Sequence, residues 1–260
     1  GTDVWINNAQ EIIRKGYAEI GGVISTRDDI MTYLIQMGVE KKKAFDIMER
    51  VRKGKGLRPE DEEAMKEQNV PEWYIDSCNK IKYMFPKAHA VAYVTMSFKI
   101  AYFKVHYPEA FYAAYFTTKV DDFDADIVTK GQNHILSTIK SLEEKGNDKT
   151  AKEKNLITVL EVAYEMYKRG FKFAKVDLYK SDDRKFLLSE DGILPPLMGL
   201  PGLGANAAAN IKAEREISEF ISVEDIIKRA KVSKTVIEVM ENHGCLKNMD
   251  KTNQISIFNV

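Results

Sequence analysis

Cysteine is almost missing from this chain. Cys78 and Cys245 are the only two; they stand far apart and form no CxxC pair, which speaks against a structural zinc site or a disulfide framework and fits a reducing compartment. No apolar run of roughly 18 residues occurs, so no membrane span is expected. Net charge is missing too: 39 basic residues are balanced by 39 acidic ones. Any attraction to phosphate must therefore come from local clusters rather than from the chain as a whole. The opening Gly1-Thr2-Asp3-Val4-Trp5 has no initiator Met and no leader pattern, so the sequence reads as a fragment. Long-period repeats and low-complexity tracts are absent. Acidic residues are absent from the whole of Asn79 to Pro108, a segment that carries Lys80, Lys82, Lys87, Lys99 and Lys104 together with His89 and His106.

What is present describes a folded protein. A 44% hydrophobic content over 260 residues is enough for one large or two ordinary domains. The periodicity is mainly that of helices with a small β hairpin or sheet. Thr26 is placed to cap a helix through Met37, with Asp28 and Asp29 favouring its positive end. Further helices are expected over Lys41 to Val51, Pro59 to Gln68, Pro71 to Lys82, Ala88 to His106 and from Pro108 through Phe116. Two more are expected from about Ile127 to Lys145 and from Ala151 to Arg169, where Gly170 stops the chain. The period then changes: Phe171, Phe173, Val176 and Leu178, and later Phe186-Leu187-Leu188, look like short strands joined by the turn Ser181-Asp182-Asp183-Arg184. The acidic turn Asp121 to Asp126 is the natural boundary, dividing the chain into 1–119, 120–248 and a tail, 249–260.

Local features carry the candidate chemistry. The loop from Arg50 to Arg58, with Gly54 and Gly56, is basic; it suits either a solvated turn or a phosphate contact. The helix Ala88 to His106 has one stripe of Val91, Val94, Phe98, Ala101 and Val105 and a second of His89, Tyr93, Met96, Ile100 and Phe103. Apolar faces on two sides predict burial between other elements.

Leu197 to Ile211 fits a helix-hairpin-helix. Gly202 and Gly204 allow backbone conformations closed to other residues. Bare amides there, with Leu203, Ala205 and Asn206 around them and the positive end of the following helix, can approach a phosphate. Leu200, Leu203, Ala208 and Ile211 are expected to pack the hairpin, and Lys212 and Arg215 to supply cations. Contacts of this kind read backbone, not bases, so the predicted duplex binding is sequence-independent and salt-sensitive. The neighbouring stretch with Lys231 and Lys234 suits either a degenerate second copy or a solvated face. The chain closes on Gln254, Ile255, Ser256, Ile257 and Phe258, a polar lead into a short apolar group, which suggests a partner that covers it.

At these residues the chain resembles family C bacterial replicative polymerases. Tyr83-Met84-Phe85-Pro86-Lys87-Ala88-His89-Ala90-Val91-Ala92-Tyr93 looks like their lysine-x-histidine-alanine-x-alanine-tyrosine fingers signature. Val51 to Leu57 and Trp73 to Cys78 resemble the PolC-type branch. The tail is similar to a sliding-clamp motif, with Ile255 and Ile257 where leucines are usual. The resemblance covers essentially the whole chain. It implies the C-terminal part of such a polymerase: fingers over 1–119, a duplex-binding domain over 120–248 and a clamp-binding tail.

In that setting Lys87, His89 and Tyr93 would face the incoming deoxynucleoside triphosphate and templating base. Lys87 is the expected phosphate contact, although a histidine or tyrosine on an apolar stripe also suits a core position. The implied partners are primer-template DNA, the nucleotide, the sliding clamp and the remaining polymerase domains, in the bacterial cytoplasm at the nucleoid. Catalytic magnesium belongs to the palm, upstream in the family, so no cofactor and no catalytic residue is expected in this chain and the segment alone should be inactive. Asp121, Asp122, Asp124 and Asp126 look like paired metal carboxylates, but match the junction between fingers and duplex domain. Competing readings are a stand-alone helix-hairpin-helix adaptor, which needs no nucleotide-facing helix, and a scaffold without DNA affinity.

Overall fold

A computed structural model describes residues 2–253. The chain forms two compact units, Gly1–Lys99 and Ile100–Val260. The boundary drawn from the sequence after residue 119 falls later along the chain, because Tyr112 and Phe116 are buried in the second unit's core. The fold is mainly helical with one small antiparallel sheet.

The first unit holds α1 (Gln10–Arg14), α2 (Arg27–Gln36), α3 (Lys41–Arg52), α4 (Pro59–Glu67), α5 (Glu72–Lys80) and the start of α6 (Lys87–His106). Ile30, Leu34, Ala44, Ile47, Val51, Met65, Tyr74 and Cys78 fill its core. Thr26 and Asp29 close the start of α2: Asp29 accepts from the Thr26 amide (2.8 Å) and hydroxyl (2.9 Å). The basic loop after α3 packs tightly. Gly54 has φ +68°, and a Cβ there would stand 2.2 Å from the Lys82 carbonyl oxygen; the Leu57 amide donates to Asn79 Oδ1 at 2.9 Å.

The second unit adds α7 (Pro108–Thr118), α8 (Ala125–Val128), α9 (Gln132–Glu143), α10 (Ala151–Lys168), β1 (Leu187–Ser189), β2 (Gly192–Leu194), α11 (Ala205–Ile217), α12 (Val223–Ala230) and α13 (Lys234–His243). The helix expected from Ile127 to Lys145 is broken into α8 and α9 at Gly131, whose φ of +92° no continuous helix accommodates. Gly170 ends α10 with φ +88°. The strand expected over 171–178 is also corrected. Only Phe173 forms a bridge, to Ile193, while β1 pairs with β2 instead. The turn Ser181–Arg184 is bound by its own side chain: Asp182 accepts from the amides of Arg184 (3.0 Å) and Lys185 (2.8 Å).

Candidate nucleic-acid interface

The hairpin is built as its sequence suggests, with one difference. Leu197–Gly199 make a single 3-10 turn, Gly202 turns the chain at φ +84°, and Gly204 precedes α11. Leu200, Leu203, Ala208 and Ile211 are all buried. Gly204, however, has φ −72° and ψ 164°, ordinary extended backbone. Its lack of a side chain is not demanded by conformation. Nothing stands within 4 Å of a Cβ at Gly202 or Gly204, so both face open space with room for a ligand. Gly204, Ala205 and Asn206 are exposed at the start of α11, and no side chain caps that helix. By contrast Ser222 accepts from the Asp225 amide at α12 and Ser233 from the Val236 amide at α13. The first-turn amides of α11 are thus unengaged by any capping side chain.

The cations expected beside the hairpin are committed elsewhere. Lys212 Nζ binds Asp182 at 2.6 Å and Asp183 at 2.8 Å, and these carboxylates push the ammonium's pKa up. Burial works against ionisation of Asp182, but Lys212 and the amides of Lys185 and Arg184 outweigh it and hold its carboxyl well below the usual range. Arg215 donates to the carbonyls of Leu178 and Ser181; burial lowers its pKa. Both side chains tie α11 to the Ser181–Arg184 turn. Lys231 and Lys234, in contrast, are exposed and lie at the turn between α12 and α13. Asn210, not singled out by its sequence context, donates to the Ala230 carbonyl at 3.3 Å and so links the two hairpins.

A cleft of about 280 Å³ opens beside Gly202–Gly204, rimmed by Lys152 and by Asp121, Asp122 and Asp124. These carboxylates do not fit a metal pair. Asp121 pairs with Arg184 (3.0 Å), Asp122 accepts from Asn155 (3.2 Å), Asp124 caps α8 through the Ile127 amide (3.2 Å), and Asp126 meets His243 Nδ1 at 2.6 Å. Burial pushes the Asp124 pKa up. His243 Nε2 accepts from the Val176 amide (3.1 Å), which leaves Nδ1 to donate to Asp126.

In the first unit the basic loop is largely self-neutralised. Arg50, Arg58 and Lys43 surround Asp61, and Arg52 and Lys53 bind Glu49. At α6 the expectation of burial is overturned: no residue of the helix is buried, and Tyr93 is 66% exposed. Among the described residues nothing packs over its apolar stripes. His89 is exposed as well; it stacks on Phe85 (5.3 Å, 9° between planes) and leans against Tyr93 (4.6 Å, tilted by 48°). The result is an open aromatic ladder of Phe85, His89 and Tyr93. Lys87 is engaged: its amide donates to Asp28 Oδ2 at 2.6 Å and its ammonium to Asp29 Oδ1 at 2.7 Å. The pairing raises the Lys87 pKa; in Asp29, burial opposes ionisation but Lys87 and Thr26 prevail and lower it.

Gln254, Ile255, Ser256, Ile257 and Phe258 lie outside the described residues. No described helix is long and apolar enough to cross a membrane.

A family model described as a helix-hairpin-helix motif matches residues 170–255, which takes in both hairpins. Over 258 residues the chain is 61% identical to a protein named DNA polymerase III PolC-type from Caldanaerobacter subterraneus, 58% to one from Clostridium perfringens and 56% to one from Bacillus subtilis. Each match covers 99% of this chain, which spans 18% of the length of each relative.

Proposed function

The chain belongs to the PolC-type DNA polymerase III family, and on that basis we propose that it serves as the nucleotide-facing, duplex-gripping and clamp-tethering part of such a polymerase. The observation that carries this reading is the hairpin at Gly202–Gly204, open in front of uncapped first-turn amides of α11. That arrangement suits a phosphate oxygen, which amide donors and a helix start both favour. The second hairpin, with exposed Lys231 and Lys234, adds cationic contacts to the DNA backbone. Contacts from bare amides and lysines to phosphate read the DNA backbone rather than the bases, so the grip is indifferent to sequence and weakens with salt.

The aromatic ladder of Phe85, His89 and Tyr93 offers flat, exposed rings against which the nascent base pair can stack. The uncovered apolar stripes of α6 are those expected to meet the rest of the polymerase, which makes up most of the relatives' length. The residues Gln254 to Phe258 bind the sliding clamp, with Gln254 hydrogen-bonding at a pocket edge and Ile255, Ile257 and Phe258 filling apolar pockets. Phosphoryl transfer, with magnesium held by carboxylates elsewhere in the polymerase, lies outside this chain's own chemistry. The segment alone is expected to incorporate no nucleotide. Its place is the bacterial cytoplasm, on the chromosome.

Two binding measurements test the reading. The logarithm of duplex affinity should fall linearly with log salt, and binding should be lost with Gly202→Val together with Gly204→Val. Binding to a bacterial sliding clamp should be lost with Phe258→Ala while duplex binding persists. Duplex binding with no clamp binding would favour a stand-alone DNA-binding adaptor.

A further inference from the structure

We propose that Arg27, Asp28 and Asp29 form a clamp that aims the Phe85–His89–Tyr93 ladder, with Lys87 as its anchor rather than as a ligand of the triphosphate. The inference rests on the nucleotide-facing reading of α6. Its basis is a set of contacts from consecutive residues. The Arg27 amide donates to the Phe85 carbonyl at 3.2 Å. Asp28 accepts the Lys87 amide at 2.6 Å, and Asp29 accepts the Lys87 ammonium at 2.7 Å. Each contact falls on the short stretch from which the ladder rises.

The clamp is itself held rigidly. Asp29 also accepts from Ser25 N (3.2 Å), Thr26 N (2.8 Å) and Thr26 Oγ1 (2.9 Å), and Thr26 is buried. A carboxylate tied to its own helix start on one side and to Lys87 on the other couples the direction of α2 to that of α6. Packing cannot do this work, because no residue of α6 is buried. The last buried anchor before the ladder is Met84, and its amide is bound to the Arg52 carbonyl at 3.2 Å. Beyond it, the polar contacts of residues 27–29 set where Phe85 and His89 stand. The charges that would attract a triphosphate to the start of α6 are also already satisfied: the amide by Asp28 and the ammonium by Asp29. A nucleotide phosphate would have to displace both carboxylates, of which Asp29 is also held by Ser25 and Thr26.

Steady-state kinetics of the full-length polymerase carrying this segment test the clamp. Asp28→Ala, Asp29→Asn and Lys87→Met should each raise the nucleotide KM about tenfold, with a smaller effect on kcat, because a misaimed ring costs binding of the base pair. Asp29→Asn combined with Lys87→Met should be no worse than either alone. Lys87→Arg should restore the KM. A 2-aminopurine templating base should brighten in the clamp variants as it does in Tyr93→Ala, since its fluorescence reports lost stacking. If Lys87→Met raises KM while Asp29→Asn leaves or lowers it, and the base stays quenched, Lys87 is a phosphate ligand and the clamp is overturned. If Tyr93→Ala changes neither KM nor fluorescence, the nucleotide-facing reading fails. The clamp is then judged by hydrogen exchange at residues 85–93. Protection lost in Asp28→Ala and Asp29→Asn but kept in Tyr93→Ala upholds it, and unchanged protection removes it.

Discussion

Lys231 stands in the second hairpin where Gly202 stands in the first: both carry positive φ, 52° and 84°. Each is followed by a buried apolar residue, Val232 or Leu203. Each then leads to an extended helix-capping residue, Ser233 (φ −76°, ψ 161°) or Gly204 (φ −72°, ψ 164°). The two turns follow one backbone path but offer different chemistry. The first presents bare amides. The second fills its helix start with its own serine hydroxyl and presents a lysine.

Lys231→Gly should therefore separate stability from binding. A non-glycine residue at left-handed φ is strained by about 1 kcal/mol, part of which glycine returns in unfolded-chain entropy. The expected outcome is a stability change of about +0.5 kcal/mol by denaturant titration. Duplex affinity should fall, and its log–log salt slope should lose about one unit.

Gly204→Ser should act in opposite directions on fold and function. Its backbone angles suit serine, and the new hydroxyl faces open space. By capping α11 as Ser222 and Ser233 cap theirs, it should raise stability by a few tenths of a kcal/mol, roughly the serine-over-glycine difference. The same hydroxyl occupies the amides meant for phosphate. Duplex affinity should drop about tenfold, equivalent to about 1.4 kcal/mol. A variant that is both more stable and fully competent in binding would remove the hairpin from the interface.

Gly54→Ala should destabilise the first unit severely. The residue has φ +68°, and the added Cβ would meet the Lys82 carbonyl oxygen at 2.2 Å, backbone against backbone. Strain and forced displacement together should exceed about 2 kcal/mol, visible as a lower first transition in thermal unfolding. Gly16→Ala, at φ +73° but with nothing within 4 Å, should lose only the conformational part, about 1 kcal/mol.

Acid should weaken the first unit through Asp61. Its side chain is fully buried, which opposes ionisation, but Arg58 and Lys43 prevail and hold its pKa at about 2. The unfolded value is about 3.9. A depressed folded pKa means stability that is present above the unfolded value and lost as pH falls through the folded one. The melting temperature should decline between about pH 4 and pH 2. Asp61→Asn should flatten that decline and, at neutral pH, destabilise by about 1–3 kcal/mol, since half-exposed cations lose their shared partner.

Local features were legible from sequence where one residue type settles the matter. Thr26 with Asp29, Gly170 after a helical run, and Gly202 with its apolar neighbours each impose a cap or turn on the few residues around them, and the structure keeps all of these. Sequence is silent where distance along the chain hides a partner. The breadth of the apolar stripes on α6 pointed to burial, yet no described element covers them. In sequence Lys212 and Arg215 stand beside the hairpin as cations, while their acceptors, Asp182, Asp183, Leu178 and Ser181, come from a turn well upstream. No acidic residue stands near Lys87 in sequence; Asp28 and Asp29 reach it only through the fold.

By itself the sequence determined the mainly helical class, the position of the first hairpin and the signature that places the chain among PolC-type polymerases. These depend on periodicity, glycine placement and short-range order, which the covalent chain dictates directly. Tertiary structure alone decided which charges remain available. Asp28 and Asp29 are spent on Lys87, Asp126 on His243, and Asp182 with Asp183 on Lys212, while Lys231 and Lys234 remain exposed. Ion pairing acts over a few ångströms in space without regard to separation along the chain, so only folding can settle which partner each charge meets.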